Sequence, residues 1–181
     1  MEYKTIYEPA EDSFIERKSE FIGYISPVKT NDEAVEFINS IKAKHRKARH
    51  NVYAYILREG QTRRYSDDGE PQGTAGMPVL NVITQEDISD CVVVVTRYFG
   101  GTLLGTGGLV RAYQKATKEA LENCVIMTKE EGIKIHLVTD YNDVGKLQYL
   151  FGQKGISILE SDYAQSVTLT ILVPIDQKEM M

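Results

Sequence analysis

Residues 91–120, CVVVVTRYFGGTLLGTGGLVRAYQKATKEA, decide the fold. CVVVVT is apolar throughout, and a strand with no polar face must be covered on both sides, which places it at the centre of a sheet. A glycine-rich turn follows. Beyond it Leu109, Ala112, Tyr113, Ala116 and Ala120 recur at helical spacing, so the turn leads into an amphipathic helix. Upstream, residues 51–57 alternate, with Val52, Ala54 and Ile56 on one face and Tyr53, Tyr55 and Leu57 on the other, one face being expected in the core. Gly60 turns the chain and residues 62–65 return as a strand. Residues 19–25 read as the first strand. A helix is predicted from Asp32, capped by Asn31, with Ala34, Phe37, Ile38 and Ile41 as its inward stripe. Residues 66–76, SDDGEPQGTAG, form a loop, and residues 77–83 a helix with Pro78 in its first turn.

Near Asn123 the pattern restarts, with a strand at 132–138, a helix at 141–154 and strands at 156–161 and 167–174. Strand, helix, strand, strand is the opening of a ferredoxin-like split βαβ unit. That unit would close with a further helix and strand, whereas only IDQKEMM follows, so the second domain is expected to be incomplete, with an apolar sheet face partly uncovered. The chain therefore reads as an α+β protein of two domains, residues 1–128 and 129–181.

No run approaches the roughly 18 apolar residues of a membrane span, and the N-terminus opens with acids instead of a signal region. Cys91 and Cys124 stand alone and fit a reducing cytoplasm. The net charge of −5 would on average repel a nucleic-acid backbone. Residues 42–64 reverse it locally, with eight basic residues against the single acid Glu59. Residues 129–181 carry five basic and eight acidic residues, which disfavours phosphate contact there.

Three stretches could carry chemistry. The glycine turn could hold an anion on the backbone around Gly100, Gly101, Gly105, Thr106, Gly107 and Gly108, at the start of a helix. It is neither a dinucleotide fingerprint, since Val110 stands where a third glycine belongs, nor a Walker loop, and close strand-to-helix packing explains the glycines equally well. Asp67, Asp68 and Glu70 could bind Mg²⁺ or move a proton if they converge, although a solvated turn is the commoner outcome of such adjacency. The stretch KAKHRKARHNVYAYIL (42–57) couples cations to alternating tyrosines, which could neutralise phosphates and stack on unpaired bases; helix-terminal cations and ordinary strand tyrosines give the same pattern. His45 and His50 cannot share a helix face, and no nucleophile elbow or zinc spacing is present.

YSDDGEPQGTAGMPVL (65–80) and VVVTRYFGGTLLGTGGLVRAYQKA (93–116) resemble the signature of the IMPACT family, the YigZ- and YvyE-like proteins. The resemblance implies a first domain like the second domain of a ribosomal small-subunit protein and a smaller second domain like the last domain of elongation factor G. It thereby points to the translation apparatus, by analogy of fold. The leading expectation is a non-enzymatic RNA- or ribosome-associated regulator of translation, cytoplasmic and without metal or cofactor. Its electrostatic contacts would be Arg46, Lys47, Arg49, Arg63, Arg64, Arg97, Arg111 and Lys115, with Tyr53 or Tyr55 stacking. Two alternatives stand beside it: an enzyme holding a phosphorylated small molecule or nucleotide at the glycine turn, and a module docking on a translation factor.

Overall fold

The computed structural model describes residues 2–175. Its elements are strands β1 (Glu2–Ile6), β2 (Ala10–Glu16) and β3 (Ser19–Pro27), helix α1 (Asn31–Lys44), strands β4 (His50–Leu57) and β5 (Thr62–Ser66), helix α2 (Gly76–Gln85), strand β6 (Cys91–Tyr98) and helix α3 (Gly105–Glu122). They continue with β7 (Ile126–Glu130), β8 (Gly132–Thr139), α4 (Val144–Gln153), β9 (Ser157–Tyr163) and β10 (Val167–Pro174). The chain divides into two compact units, Tyr3–Thr128 and Lys129 onward, the latter with Glu2.

In the first unit β6 is the middle strand of an antiparallel sheet ordered β2-β3-β6-β4-β5. Cys91 through Arg97 are all buried, as the unbroken apolar run requires, because helices cover both faces. Val93 and Val95 pack with Leu109, Tyr113 and Ala116 of α3 and Val79 and Ile83 of α2, while Val92 and Val94 pack with Ala34, Ile38 and Ile41 of α1. Each such buried aliphatic side chain contributes about 1.5–3 kcal/mol against exposure. Gly23 of β3 faces α3 so closely that a Cβ would lie 2.5 Å from the carbonyl oxygen of Ala116.

Several expectations change. The N-cap of α1 is Thr30, one residue earlier than Asn31, with its side chain accepting from the Glu33 amide at 3.2 Å. Both faces of β4 are core, since it lies inside the sheet and α1 covers the face bearing Tyr55 and Leu57. Strands β1, β2 and β7 are absent from the sequence reading. β2 pairs as an edge strand with β3, and its interleaved acids hide the alternation; β1 pairs with β7 in a separate two-stranded sheet.

In the second unit β10 lies between β8 and β9 and runs antiparallel to both, so β8 and β9 are parallel and joined by α4, a split βαβ. Helix α4 begins at Val144, three residues later than predicted, because the Asp140 carboxylate accepts from the amides of Asn142 and Asp143 and holds them in a turn. Val167, Leu169, Ile171 and Val173 of β10 are buried with Phe151 of α4, while Ile133, Ile135 and Leu137 of edge strand β8 are half-buried. The expected absence of a last helix and strand falls on residues 176–181, outside the described residues.

Candidate anion-binding site

Within the 66–76 loop the three carboxylates part company. Asp67 Oδ1 accepts from the amides of Ala75 (3.2 Å) and Gly76 (2.8 Å), and its Oδ2 from that of Gly73 (3.0 Å). It thus supplies the cap that Ala75, the N-cap residue of α2, has no side chain to provide. Asp68 Oδ2 accepts from the Asn51 amide at 2.7 Å, and Lys42 lies 3.7 Å from its Oδ1. Asp67 is spent on its own loop and Asp68 on β4 and α1, and no cluster suited to a metal occurs among the described residues.

Glu70 turns inward, its side chain only 3% exposed. Its Oε1 accepts from Arg97 Nη1 at 2.7 Å and from the Tyr113 hydroxyl at 2.8 Å, and His50 Nε2 lies 3.6 Å away. His50 is oriented from its other nitrogen, since Nδ1 donates to the Asp68 carbonyl at 2.8 Å. Burial, with the Glu70 carboxylate next in weight, pushes the Tyr113 phenol far above its ordinary pKa, so it stays a donor. Glu70 Oε2 has no hydrogen-bond partner among the described residues.

Arg97, expected as an electrostatic contact, is instead buried to 4% exposure at the end of β6, where it cannot meet a polyanion at the surface. A buried guanidinium must satisfy its donors. Nε and Nη2 donate to Ser19 Oγ at 3.4 and 3.3 Å, where the Gly100 amide also donates, and the Phe21 and Phe99 rings flank the group at 5.6 and 5.5 Å.

Above this floor opens a cavity of about 300 Å³, walled by Arg49, His50, Glu70 and Arg97, by Pro71, Phe99, Leu103, Leu104 and Leu109, and by Gly105 and Thr106 of the first turn of α3. No side chain caps that helix and no acid sits in its first turn, so its leading amides have no side-chain acceptor within the helix. A second cavity of about 240 Å³ shares Leu104 and is lined by Arg17, Arg111 and Lys115 with Phe14, Glu16 and Gly108. The glycines of the predicted anion loop therefore have different tasks. Gly100 lies against the Lys18 carbonyl, where a Cβ would clash outright, and Gly101 (φ +86°) and Gly105 (φ +75°) take left-handed conformations. Gly107 and Gly108 belong to α3 itself.

The basic window does not form one surface. Arg46 and Lys47 are exposed in the turn after α1, and Arg49 reaches the larger cavity. Arg63 pairs opposite Ile56, six residues along β4 from His50, and Arg64 opposite Tyr55. At about 3.3 Å per strand residue they stand roughly 20 Å from the cavity. Tyr55 is 5% exposed beneath α1, with its hydroxyl donating to Asn31 Oδ1 at 2.7 Å, and cannot stack on a base. Tyr53 is half-buried, its ring beside that of Tyr55 and under Lys42. Arg111 and Lys115 are exposed on α3, as a contact role needs. Arg17, His50, Ser19, Phe99 and Tyr113 join the site without a signal in sequence pattern. Arg17 and Ser19 sit in a stretch that reads as acidic, and only the β2–β3 pairing carries them to α3 and Arg97.

No helix of the described residues is long and apolar enough to cross a membrane. Residues 17–121 match the Impact N-terminal domain and residues 137–180 the Domain of unknown function DUF1949. IMPACT family member YvyE of Bacillus subtilis is 38% identical over 178 residues, covering 98% of this chain and 81% of that protein. IMPACT family member YigZ of Escherichia coli is 35% identical over 161 residues, covering 87% and 79%. A solved structure described as that of a hypothetical protein aligns over 99% of this chain and 88% of its own, at a TM-score of 0.70 and 32% identity. A match over more than half the chain, joined to these relatives across nearly all of it, places the sequence: the protein belongs to the IMPACT family.

Proposed function

We propose that this protein is a non-enzymatic RNA- or ribosome-associated regulator of translation that holds nucleic-acid phosphates at the start of α3. One observation carries the reading: two cavities meeting at Leu104 bring the exposed Arg49 on one side and Arg17, Arg111 and Lys115 on the other around an uncapped helix N-terminus. Cations concentrated there oppose the net charge of −5 and would hold a polyanion against the average repulsion. The resemblance of the family to pieces of the translation apparatus supports the same direction. Titration of labelled single-stranded RNA at several salt concentrations tests it. Affinity should fall steeply as salt rises. No binding at low salt removes direct RNA contact.

A second reading, a site for a small phosphorylated ligand, is favoured by Glu70 of one loop and Gly105 and Thr106 of the other lining a single cavity.

A further inference from the structure

We infer that the 300 Å³ cavity between β6 and the first turn of α3 is a site for one nucleoside monophosphate unit, free or as a nucleotide of a bound strand. The inference rests on the phosphate-binding reading above and adds what the rest of the ligand must be.

The cavity has three chemically distinct parts. An anion-seeking end is formed by the exposed Arg49 guanidinium and the uncapped start of α3 at Gly105 and Thr106. A phosphate fits that end because a guanidinium fork and helix-terminal amides both donate to anionic oxygens. A wall is apolar: Pro71, Phe99, Leu103, Leu104 and Leu109. A polyhydroxylated sugar phosphate would leave its hydroxyls unpaired against that wall, at the cost of buried, unsatisfied polar groups. A flat heterocycle would not.

The third part is Glu70. Its side chain is only 3% exposed, and Oε1 already accepts from Arg97 and Tyr113, while Oε2 is unpartnered among the described residues and Glu70 belongs to the cavity lining. Because no buried side-chain oxygen among the described residues lacks a partner, Oε2 keeps access to solvent, where a ligand donor can replace water and a second anion is repelled. N–H groups at the edge of a nucleobase supply such donors. The combination of an anion-seeking end, an apolar wall and an acceptor oxygen open to the cavity describes a phosphorylated heterocycle better than inorganic phosphate or a simple carboxylate. The volume lies at the lower bound for small-molecule sites, which suits one nucleotide and not a dinucleotide.

The test is calorimetric titration of the full chain with AMP, UMP, adenosine and inorganic phosphate, followed by competition of AMP or UMP against labelled single-stranded RNA. AMP or UMP should bind one to one with Kd of about 1 mM or tighter, at least about tenfold more tightly than adenosine or phosphate. Arg49→Ala, at an exposed position, should weaken the mononucleotide about tenfold without loss of fold. Glu70→Gln should weaken the mononucleotide and spare inorganic phosphate, with circular dichroism reporting its folding. A mononucleotide that binds and displaces RNA locates a strand nucleotide in the cavity; one that binds without displacing RNA identifies the free ligand. No mononucleotide binding at about 10 mM, or equal affinity for adenosine, overturns the inference, and RNA binding in that case leaves the preceding reading standing. Mononucleotide binding with no RNA affinity at low salt upholds the inference and removes the RNA reading.

Discussion

Arg97 Nη1 donates to Glu70 Oε1 at 2.7 Å, and the two side chains are 5% and 3% exposed. An ion pair so enclosed is held by its surroundings as much as by attraction, since desolvation offsets much of the Coulomb gain. Removing one partner strands the other. Arg97→Leu is expected to destabilise the first unit by about 3–5 kcal/mol, and Arg97→Lys by less, because the charge remains but the fork to Ser19 is lost. Adding Glu70→Leu to Arg97→Leu should recover part of the loss. Urea midpoints of the three variants check this, and a double variant no more stable than Arg97→Leu alone contradicts it.

Asp67 links three amides of its own loop, two of them at the start of α2. A cap of this kind is worth about 0.5–2 kcal/mol. Asp67→Ala is expected to lose that amount and Asp67→Asn less, since one acceptor oxygen survives. Thermal melts give the order, with an unchanged melting temperature for Asp67→Ala as the contrary result.

Sequence pattern made the sheet and its helices legible wherever burial is regular: the all-buried run at β6, the stripe on α3, the split βαβ order of the second unit. It failed where pairing partners decide. Acids interleaved along β2 mask an edge strand that exists through its seven-residue pairing with β3. At the site, charge counting ranks Arg97 and Arg63 alike, although one is the buried partner of Glu70 and the other lies at the far end of β5. Adjacency of Asp67, Asp68 and Glu70 says nothing of their divergence, which follows from backbone amides competing for the first two.

His45 stands at the C-cap of α1 between the hydroxyls of Tyr24 and Tyr98, each 2.6 Å away. Burial first, then the neighbouring Lys44, lowers its pKa below the usual 6.5. Below that value the unfolded chain therefore binds more protons than the folded one, so stability is full above it and declines as pH falls towards the folded pKa. His45→Gln should abolish this part of the decline. The comparison is of wild-type and variant urea midpoints from about pH 7.5 to about pH 5, where other titrating groups cancel in the difference. Parallel curves would refute the assignment.

Cys91 is fully buried in the sheet, and burial first, with Asp90 next, pushes its thiol up to about 12. Burial likewise raises Cys124, to about 11. Thiolate is the reactive form, so both should resist labelling at neutral pH. A disulfide reagent added to the native protein should modify Cys91 at the rate of unfolding. Labelling of Cys91 at the rate of a free thiol would contradict its burial.

Arg17 and Lys18 form the two-residue turn between β2 and β3, with φ of +45° and +66°. Asparagine and glycine suit such a turn, and larger side chains there are strained. Two cations are held in an unfavourable conformation, Arg17 of them lining the smaller cavity, so charge is retained here against stability. The double replacement Arg17→Asn with Lys18→Gly should therefore raise stability by about 0.5–1 kcal/mol. It should at the same time weaken single-stranded RNA binding and reduce the salt slope, by about 0.7 for each phosphate that is no longer neutralised. Arg111→Ala and Lys115→Ala should reduce the slope similarly without the gain in stability, and Arg63→Ala with Arg64→Ala should leave it unchanged, since those side chains lie roughly 20 Å along the sheet. A stabilised turn variant that binds RNA with undiminished affinity and slope would show that the turn cations have no part in binding.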